Sequence, residues 1–240
     1  MSHVVASFDR AATHYKAFAH IQRLAAEKLA AFIPNSKKSR ALELAAGCGF
    51  FTQHLVSWEG EILATDGSKR MCLEGQKNID SIPWKQMNLV SPTDGPWDYI
   101  FSSSALQWVD SPLDVFKAWR QVLTPNGRIV CSLFTEGTLK EWLFVSKGIS
   151  PVKWRSLHSW ERSLNEAGFK LLKQQSETLT TYYPSALDCL KALRGMGATP
   201  QSLINPAKLR TLLKEYDSAY KIDQVVVCSW AVYRFEATLL

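Results

Sequence analysis

The chain has 240 residues, 46% of them hydrophobic, with a formal net charge of +6 and a sequence pI of about 9.0. This length suffices for one α/β domain with a full core, and no apolar run reaches the roughly 18 residues that a membrane helix needs. The N-terminus also lacks the apolar segment of a signal peptide, so we expect a cytoplasmic protein with no membrane partner.

The five cysteines are scattered and form no Cys-x-x-Cys pair, which argues against disulfides and against a zinc site. We therefore expect buried thiols and no metal. The positive charge favours an acidic partner. It does not indicate nucleic acid, because the basic residues are dispersed, no nucleic-acid-binding motif is present, and the densest group, residues 37–40, is typical of a solvated loop.

Hydrophobic periodicity predicts an N-terminal helix of about residues 8–33, followed by strands that alternate with helices. The predicted strands are Leu42–Ala45, Ile62–Thr65, Trp84–Leu89, Trp97–Ser103 and Arg128–Phe134. The predicted helices between them are Phe50–Val56, Lys69–Lys77 and Pro112–Leu123. Such alternation implies right-handed parallel βαβ units, so the fold class is α/β with a doubly wound sheet.

The remainder of the chain is richer in helix. The predicted elements there are a helix at Ser156–Ala167 closed by Gly168, a strand at Phe169–Thr181, helices at Pro184–Arg194 and Pro206–Tyr220, and a final strand at Gln224–Phe235. We expect one domain over residues 1–240, with a helical insertion of about residues 184–220 that covers the active site.

The most informative motif lies directly after the first predicted strand. Gly47 and Gly49 permit a tight turn at which a ligand touches bare backbone, before a helix whose first N–H groups face that ligand. The next strand delivers Asp66 to its carboxyl end, where a carboxylate can accept hydrogen bonds from two ribose hydroxyls. The spacing therefore predicts a nucleoside-cofactor site, although a glycine turn alone is also common between ordinary elements.

Two common nucleotide motifs do not fit this segment. A P-loop needs Gly-Lys-Ser/Thr, and a dinucleotide site would have a third glycine where Thr52 stands. The pattern that begins at Glu43 instead resembles the first motif of class I S-adenosylmethionine-dependent methyltransferases, with Ala45 in place of the first glycine. The resemblance implies a seven-stranded, mostly parallel Rossmann-like sheet with an antiparallel last strand, and S-adenosylmethionine as the cofactor, bound by Glu43, Ala45, Gly47, Gly49 and Asp66.

Further cofactor contacts are expected at the ends of the third and fourth strands. Asn88 follows the third strand, where related methyltransferases often hold the adenine amino group, and its amide oxygen can accept that bond. Met87 packs either on the adenine ring or in the core. Ser103 begins the turn of residues 103–106 at the fourth strand's carboxyl end, which should run beside the methyl group, with Trp108 shaping that wall.

Three other segments carry a closer resemblance: FDRAATHY at residues 8–15, ALQW at residues 105–108 and LKALRGMGAT at residues 190–199. Together they resemble the malonyl-acyl-carrier-protein O-methyltransferase family of biotin synthesis. The resemblance implies methyl transfer to the free carboxylate of a malonyl thioester on an acidic acyl-carrier protein. A carboxylate is ionised at neutral pH, so this reaction needs alignment and no general base.

The acceptor carboxylate needs a cationic partner, and Arg194 in the late motif is the first candidate because guanidinium binds carboxylates as a fork. Arg10 is the second candidate. Tyr15 and His14 either close over the methyl donor or belong to one packed face of the N-terminal helix. Two alternatives to the carrier-protein substrate stay open here: a free small acid as acceptor, and a noncatalytic module that has kept the fold.

Overall fold

The computed structural model describes residues 2–35, 37–150, 152–197 and 204–240, and within these the strands form one mixed sheet. The strands are β1 (Lys37–Leu44), β2 (Glu59–Asp66), β3 (Trp84–Gln86), β4 (Trp97–Ser103), β5 (Leu123–Phe134), β6 (Phe169–Tyr183), β7 (Lys221–Ile222) and β8 (Val225–Leu239). Their order across the sheet is β3-β2-β1-β4-β5-β8-β6, and the short β7 pairs with β8.

Helices lie on both faces of this sheet. They are α1 (Ser2–Phe18), α2 (His20–Leu29), α3 (Lys69–Asn78), α4 (Pro112–Gln121), α5 (Lys140–Ser146), α6 (Leu157–Glu166), α7 (Ala186–Gly195) and α8 (Pro206–Tyr220). On one face Phe116 and Trp119 of α4 pack in a fully buried cluster with Trp160 of α6. On the other face α2 buries Leu29 against the sheet.

The pairing of the strands confirms the predicted class. Strands β1 to β5 pair in parallel, while β8 runs antiparallel between β5 and β6. The sheet is therefore doubly wound and mostly parallel, with an antiparallel last strand as predicted; the two-residue β7 makes eight strands in the described residues instead of seven. Because β1, β2 and β4 are parallel neighbours, their carboxyl ends meet at one edge of the sheet.

Two helical predictions were wrong in detail. The N-terminal helix starts at Ser2 and breaks at Ala19, where φ is −87° and ψ is 44°, so that α2 packs on β4 and β5 while α1 contacts α3 and α7. The predicted helix at Phe50–Val56 is a chain of turns with a 3₁₀ segment at Thr52–Leu55. The turn after β1 therefore presents no α-helix N-terminus.

The cysteines match the prediction, since all five are free and buried. Within the described residues no helix is long and apolar enough to cross a membrane, and no group of three or more His, Cys, Asp or Glu residues could hold a metal ion.

Candidate functional site: a covered cleft at the strand ends

A cleft opens at the carboxyl ends of β1, β2 and β4 and contains about 820 Å³ of atom-free space, its open mouth included. Its walls come from the turns after β1 and β4, from the end of β2 and from the residues after β3, and α1 lies over it as a roof. The side chains on these walls are apolar, neutral polar or acidic, and the described lining contains no Lys, Arg or His. The position is that of a small-molecule site in a doubly wound sheet.

The turn after β1 is held in a left-handed conformation. Ala45 has φ +57° and Gly47 has φ +58°, and the Ala46 N–H donates to the Thr65 carbonyl at 2.8 Å. A Cβ added at Gly47 would meet no atom within 4 Å, so this glycine leaves open space inside the cleft. At Gly49 a Cβ would come 2.8 Å from the Ile79 side chain. Gly49 is outside the cleft lining, and its missing side chain serves internal packing.

Asp66 organises both the turn after β1 and the start of α3. Its Oδ2 accepts the Gly47 N–H at 2.9 Å, and its Oδ1 accepts the Ser68 N–H at 2.8 Å. Burial raises the pKa of Asp66 to about 6, although both backbone hydrogen bonds favour the ionised form. A carboxylate has about four lone-pair positions, so Asp66 retains acceptor capacity toward the cleft.

Glu43 is the least satisfied polar group in the site. It lies near the end of β1 with 0% exposure, and neither carboxylate oxygen has a hydrogen-bond partner in the described structure. Burial raises the pKa of Glu43 to about 8; the nearby Thr52 hydroxyl opposes this shift, and the charge of Asp66 adds to it. A buried acid without partners is costly unless a ligand pairs with it. The arrangement suits a cationic group placed at the β1 end of the cleft.

The roof is fixed to the cleft wall by an aspartate in α1. Asp9 accepts the Ser68 hydroxyl at 2.6 Å and the Arg70 N–H at 3.2 Å, and the Ser68 bond is the main cause of its lowered pKa. On the underside of α1, Phe8 meets Trp108 edge-on with ring centroids 5.6 Å apart. Asp9 was assigned no role from the sequence; only its place in the FDRAATHY segment pointed to it.

Comparison with known proteins identifies what kind of protein has this cleft. The family described as a methyltransferase domain matches residues 15–174. Malonyl-[acyl-carrier protein] O-methyltransferase of Methylococcus capsulatus is 31% identical over 229 residues, which cover 89% of this chain and 83% of that protein. The protein of the same name from Erwinia pyrifoliae is 29% identical over 210 residues, covering 82% and 76%.

The chain belongs to the malonyl-[acyl-carrier protein] O-methyltransferase family. It is accordingly an O-methyltransferase, as predicted. A biotin biosynthesis bifunctional protein, BioHC of Teredinibacter turnerae, is 27% identical and is matched over 95% of this chain but only 45% of its own length. This methyltransferase therefore corresponds to about half of that protein.

Solved structures support the fold. The YcgJ protein of Bacillus subtilis superimposes with a TM-score of 0.68 at 14% identity, covering 90% of this chain and 97% of that one. A geranyl diphosphate methyltransferase solved in complex with SAM gives a TM-score of 0.58 at 12% identity, covering 91% and 85%. At these identities the likeness concerns the Rossmann-like fold alone.

Of the three further residues predicted to bind the cofactor, two line the cleft and one does not. Asn88 lines the cleft, where its Oδ1 already accepts the Val90 N–H at 3.1 Å. Ser103 also lines the cleft, with its hydroxyl 3.0 Å from the Ser132 hydroxyl. Met87 is absent from the lining; its side chain packs in the core, and its N–H donates to the Asp66 carbonyl at 3.0 Å.

Two polar lining residues of the methyltransferase were not singled out from the sequence. Ser104 has φ +58°, and its buried hydroxyl has no partner in the described structure. The Gln22 amide is similar: Oε1 is unpartnered, while Nε2 lies 3.1 Å from the Met196 sulfur. Ser104 falls in the turn predicted at residues 103–106, whereas nothing in the pattern distinguished Gln22 from a surface position of α2.

The structure does not bring the predicted acceptor-binding arginines into the cleft. Tyr15 is buried in the cleft wall, but Arg194 and Arg10 are exposed in a separate depression on the other side of α1. The reason is the position of α7, whose last turn packs beside α1 on its outer face. Ala198 and Thr199, the end of the late motif, lie outside the described residues.

Proposed function

We propose that this methyltransferase transfers a methyl group from S-adenosylmethionine to the free carboxylate of a malonyl thioester on acyl-carrier protein, an early step of biotin synthesis. Family membership and the names of the relatives support the reaction class and the acceptor. The single observation that carries the cofactor is the unpartnered, fully buried Glu43 beside Asp66 at the strand ends.

The cofactor's charges and hydroxyls match the groups that line the cleft. Glu43 would pair with the ammonium of the methionine part, which gives both orphaned oxygens a partner. Asp66 would accept the ribose hydroxyls with its remaining lone pairs, and Gly47 leaves the space that the ligand needs next to the backbone. Asn88 and Ser103 would contact the cofactor at the ends of β3 and β4.

The chemistry requires alignment more than acid–base catalysis. S-adenosylmethionine would supply the methyl group: the acceptor oxygen would bond to the methyl carbon while the carbon–sulfur pair stayed on sulfur, which would leave S-adenosylhomocysteine. Burial raises the pKa of Tyr15, so its phenol stays protonated and can donate a hydrogen bond to the acceptor carboxylate. Gln22 and Ser104 supply further neutral donors on the same walls, and holding the reactants in line is worth several kcal/mol.

Mass spectrometry of malonyl-carrier protein incubated with enzyme and S-adenosylmethionine tests the proposal. We expect the carrier to gain one methyl group as an ester on the malonyl unit, together with one S-adenosylhomocysteine per turnover. The matched variants are Asp66→Ala, which should lose activity, and Asp80→Ala, an exposed aspartate outside the cleft, which should keep it. Methylation of free malonate in preference to the carrier would contradict the assigned acceptor.

A further inference from the structure

A second depression lies on the outer face of α1, where the last turn of α7 packs against it. Arg10 and His14 of α1 and Arg194 of α7 line it, and all three side chains are exposed. The helix α1 packs closely against the end of α7. A Cβ at Gly195 would come 2.4 Å from the Phe18 ring, and the Ser7 hydroxyl donates to the Gly197 carbonyl at 3.1 Å.

The charge of this depression is unbalanced. No Asp or Glu is among the residues that line it, and neither Arg10 nor Arg194 makes an ion pair with a described residue. Nearby basic residues are already engaged, since Lys191 pairs with Asp188 at 3.0 Å and Arg70 with Asp9 at 3.5 Å. Two guanidinium groups without anionic partners form a site that favours a phosphate or carboxylate group.

The cleft and the depression share the wall that α1 forms but take different residues from it. The cleft takes Val5, Phe8 and Tyr15 from α1, while the depression takes Arg10 and His14. A group bound in the depression is therefore separated from the cleft by α1. The arginines are therefore placed to hold a remote part of a long acceptor instead of its reacting carboxylate.

We propose that Arg10 and Arg194 bind the phosphodiester that joins a carrier protein to its pantetheine arm. This inference rests on the proposed function, which supplies the carrier. A malonyl group in the cleft would sit at one end of the arm, and the phosphate is at the other end. The phosphate is the anion that the acceptor itself carries away from its reacting carboxylate, and the two arginines line the depression without an ion-pair partner among the described residues.

The test compares three malonyl acceptors that share the reacting carboxylate: malonyl-pantetheine, malonyl-4′-phosphopantetheine and malonyl-carrier protein. In the double variant Arg10→Ala with Arg194→Ala, KM should rise about tenfold or more for the two phosphate-bearing acceptors, with kcat little changed. The phosphate-free acceptor should be affected far less. Raising salt from about 0.05 M to 0.5 M should weaken the wild-type enzyme's use of the same two acceptors.

The matched control removes the same charge from elsewhere on the surface. Lys117→Ala with Lys170→Ala changes two exposed lysines outside both sites and should leave all three KM values near wild type. Equal losses for all three acceptors in the arginine variant would mean that the arginines hold the carboxylate, and losses confined to the carrier would mean that they bind its protein surface. Either result, or no loss, overturns the proposal.

Binding of free 4′-phosphopantetheine separates this inference from the proposed reaction, because the arm alone cannot be methylated on a malonyl group. Calorimetry should show binding to the wild-type protein and to the lysine control, but binding to the arginine variant weaker by about tenfold. Equal affinity for 4′-phosphopantetheine in all three proteins would exclude the phosphate site even if methyl transfer were established. Conversely, weaker binding to the arginine variant than to the other two proteins would support the phosphate site even if no malonyl acceptor were methylated.

Discussion

The two sites beside α1 place charges of opposite sign in opposite environments. Beneath the helix, the acids of the cleft are the fully buried Glu43 and the half-buried Asp66, and burial raises the pKa of both. On the outer side, the charged groups of the depression are arginines that are exposed in the described part of the chain. A buried charge discriminates strongly but carries a desolvation cost, whereas an exposed charge attracts at long range and is screened by salt.

This difference predicts which properties a substitution at each site should change. Changes beneath α1 should alter cofactor affinity and the stability of the fold together, because the same buried groups serve both. Changes on the outer side should alter only the use of large acceptors. The following variants test the first half of that contrast.

Gly47→Val should have the largest effect. The variant places a branched side chain in the open space of the cleft and forces φ +58° on a residue type that tolerates it poorly. We expect cofactor binding to fall below detection by calorimetry, with no turnover. If the variant still methylated its acceptor, the cofactor would have to bind elsewhere.

Glu43→Gln should change the pH dependence of stability. The pKa of Glu43 is about 8 in the fold against an ordinary value of 4.5, so between these pH values the folded state binds a proton that the unfolded state has lost. Its contribution to the free energy of unfolding therefore falls as pH rises from 4.5 to 8, by on the order of 3–4 kcal/mol.

Urea unfolding at several pH values, without cofactor, measures this contribution. The wild-type protein should lose stability over that range more steeply than the glutamine variant, while the variant should bind S-adenosylmethionine more weakly. Calorimetry of the wild type near pH 7, in buffers of different ionisation enthalpy, should show protons released on binding, because a cationic ligand favours the ionised acid. Identical pH slopes in the two proteins would show that Glu43 is not a buried acid.

Asp66→Ala should weaken cofactor binding by about 1.5–3 kcal/mol, the usual cost of losing hydrogen bonds to a charged group. The change also leaves the N–H groups of Gly47 and Ser68 without their acceptor, so we expect a smaller loss of thermal stability. Titration calorimetry and thermal unfolding, beside the Asp80→Ala control, separate these effects. An unaltered dissociation constant would remove Asp66 from the site.

Ala45→Gly should have the smallest effect. Ala45 holds φ +57° with a Cβ, so glycine relieves local strain but gives the unfolded chain more freedom. We expect the two terms to leave stability and cofactor affinity within about 1 kcal/mol of wild type. A gain of several kcal/mol in affinity would mean that the Ala45 methyl group obstructs the cofactor.

Local signals predicted the sheet well. The helix Pro206–Tyr220 has its predicted bounds because the Asn205 cap and Pro206 mark its first turn. The strand Trp97–Ser103 has its predicted bounds because tight turns flank it. The break at Ala19 carries no such signal. It arises from packing, since Ala19 is fully buried where the two helices diverge, and alanine itself favours continuous helix.

The site was predictable as far as it follows strand order. Glu43, Ala45, Gly47, Asp66, Asn88 and Ser103 all line the cleft because each sits at or just beyond a strand's carboxyl end. The sequence did not predict that Arg194 and Arg10 lie outside the cleft, because a motif gives residue types without saying on which side of a helix they lie. The turns over residues 50–56 were mistaken for a helix because these residues are apolar enough to fit one.

The position of α1 also bears on exchange of the cofactor. The helix covers the cleft, tied to the wall by Asp9, and its outer face forms one side of the depression. If the carrier binds that outer face as proposed, it presses on the same helix that covers the cofactor cleft. We then expect exchange of the cofactor to be slower while the carrier is bound, which would couple the two binding events through one helix.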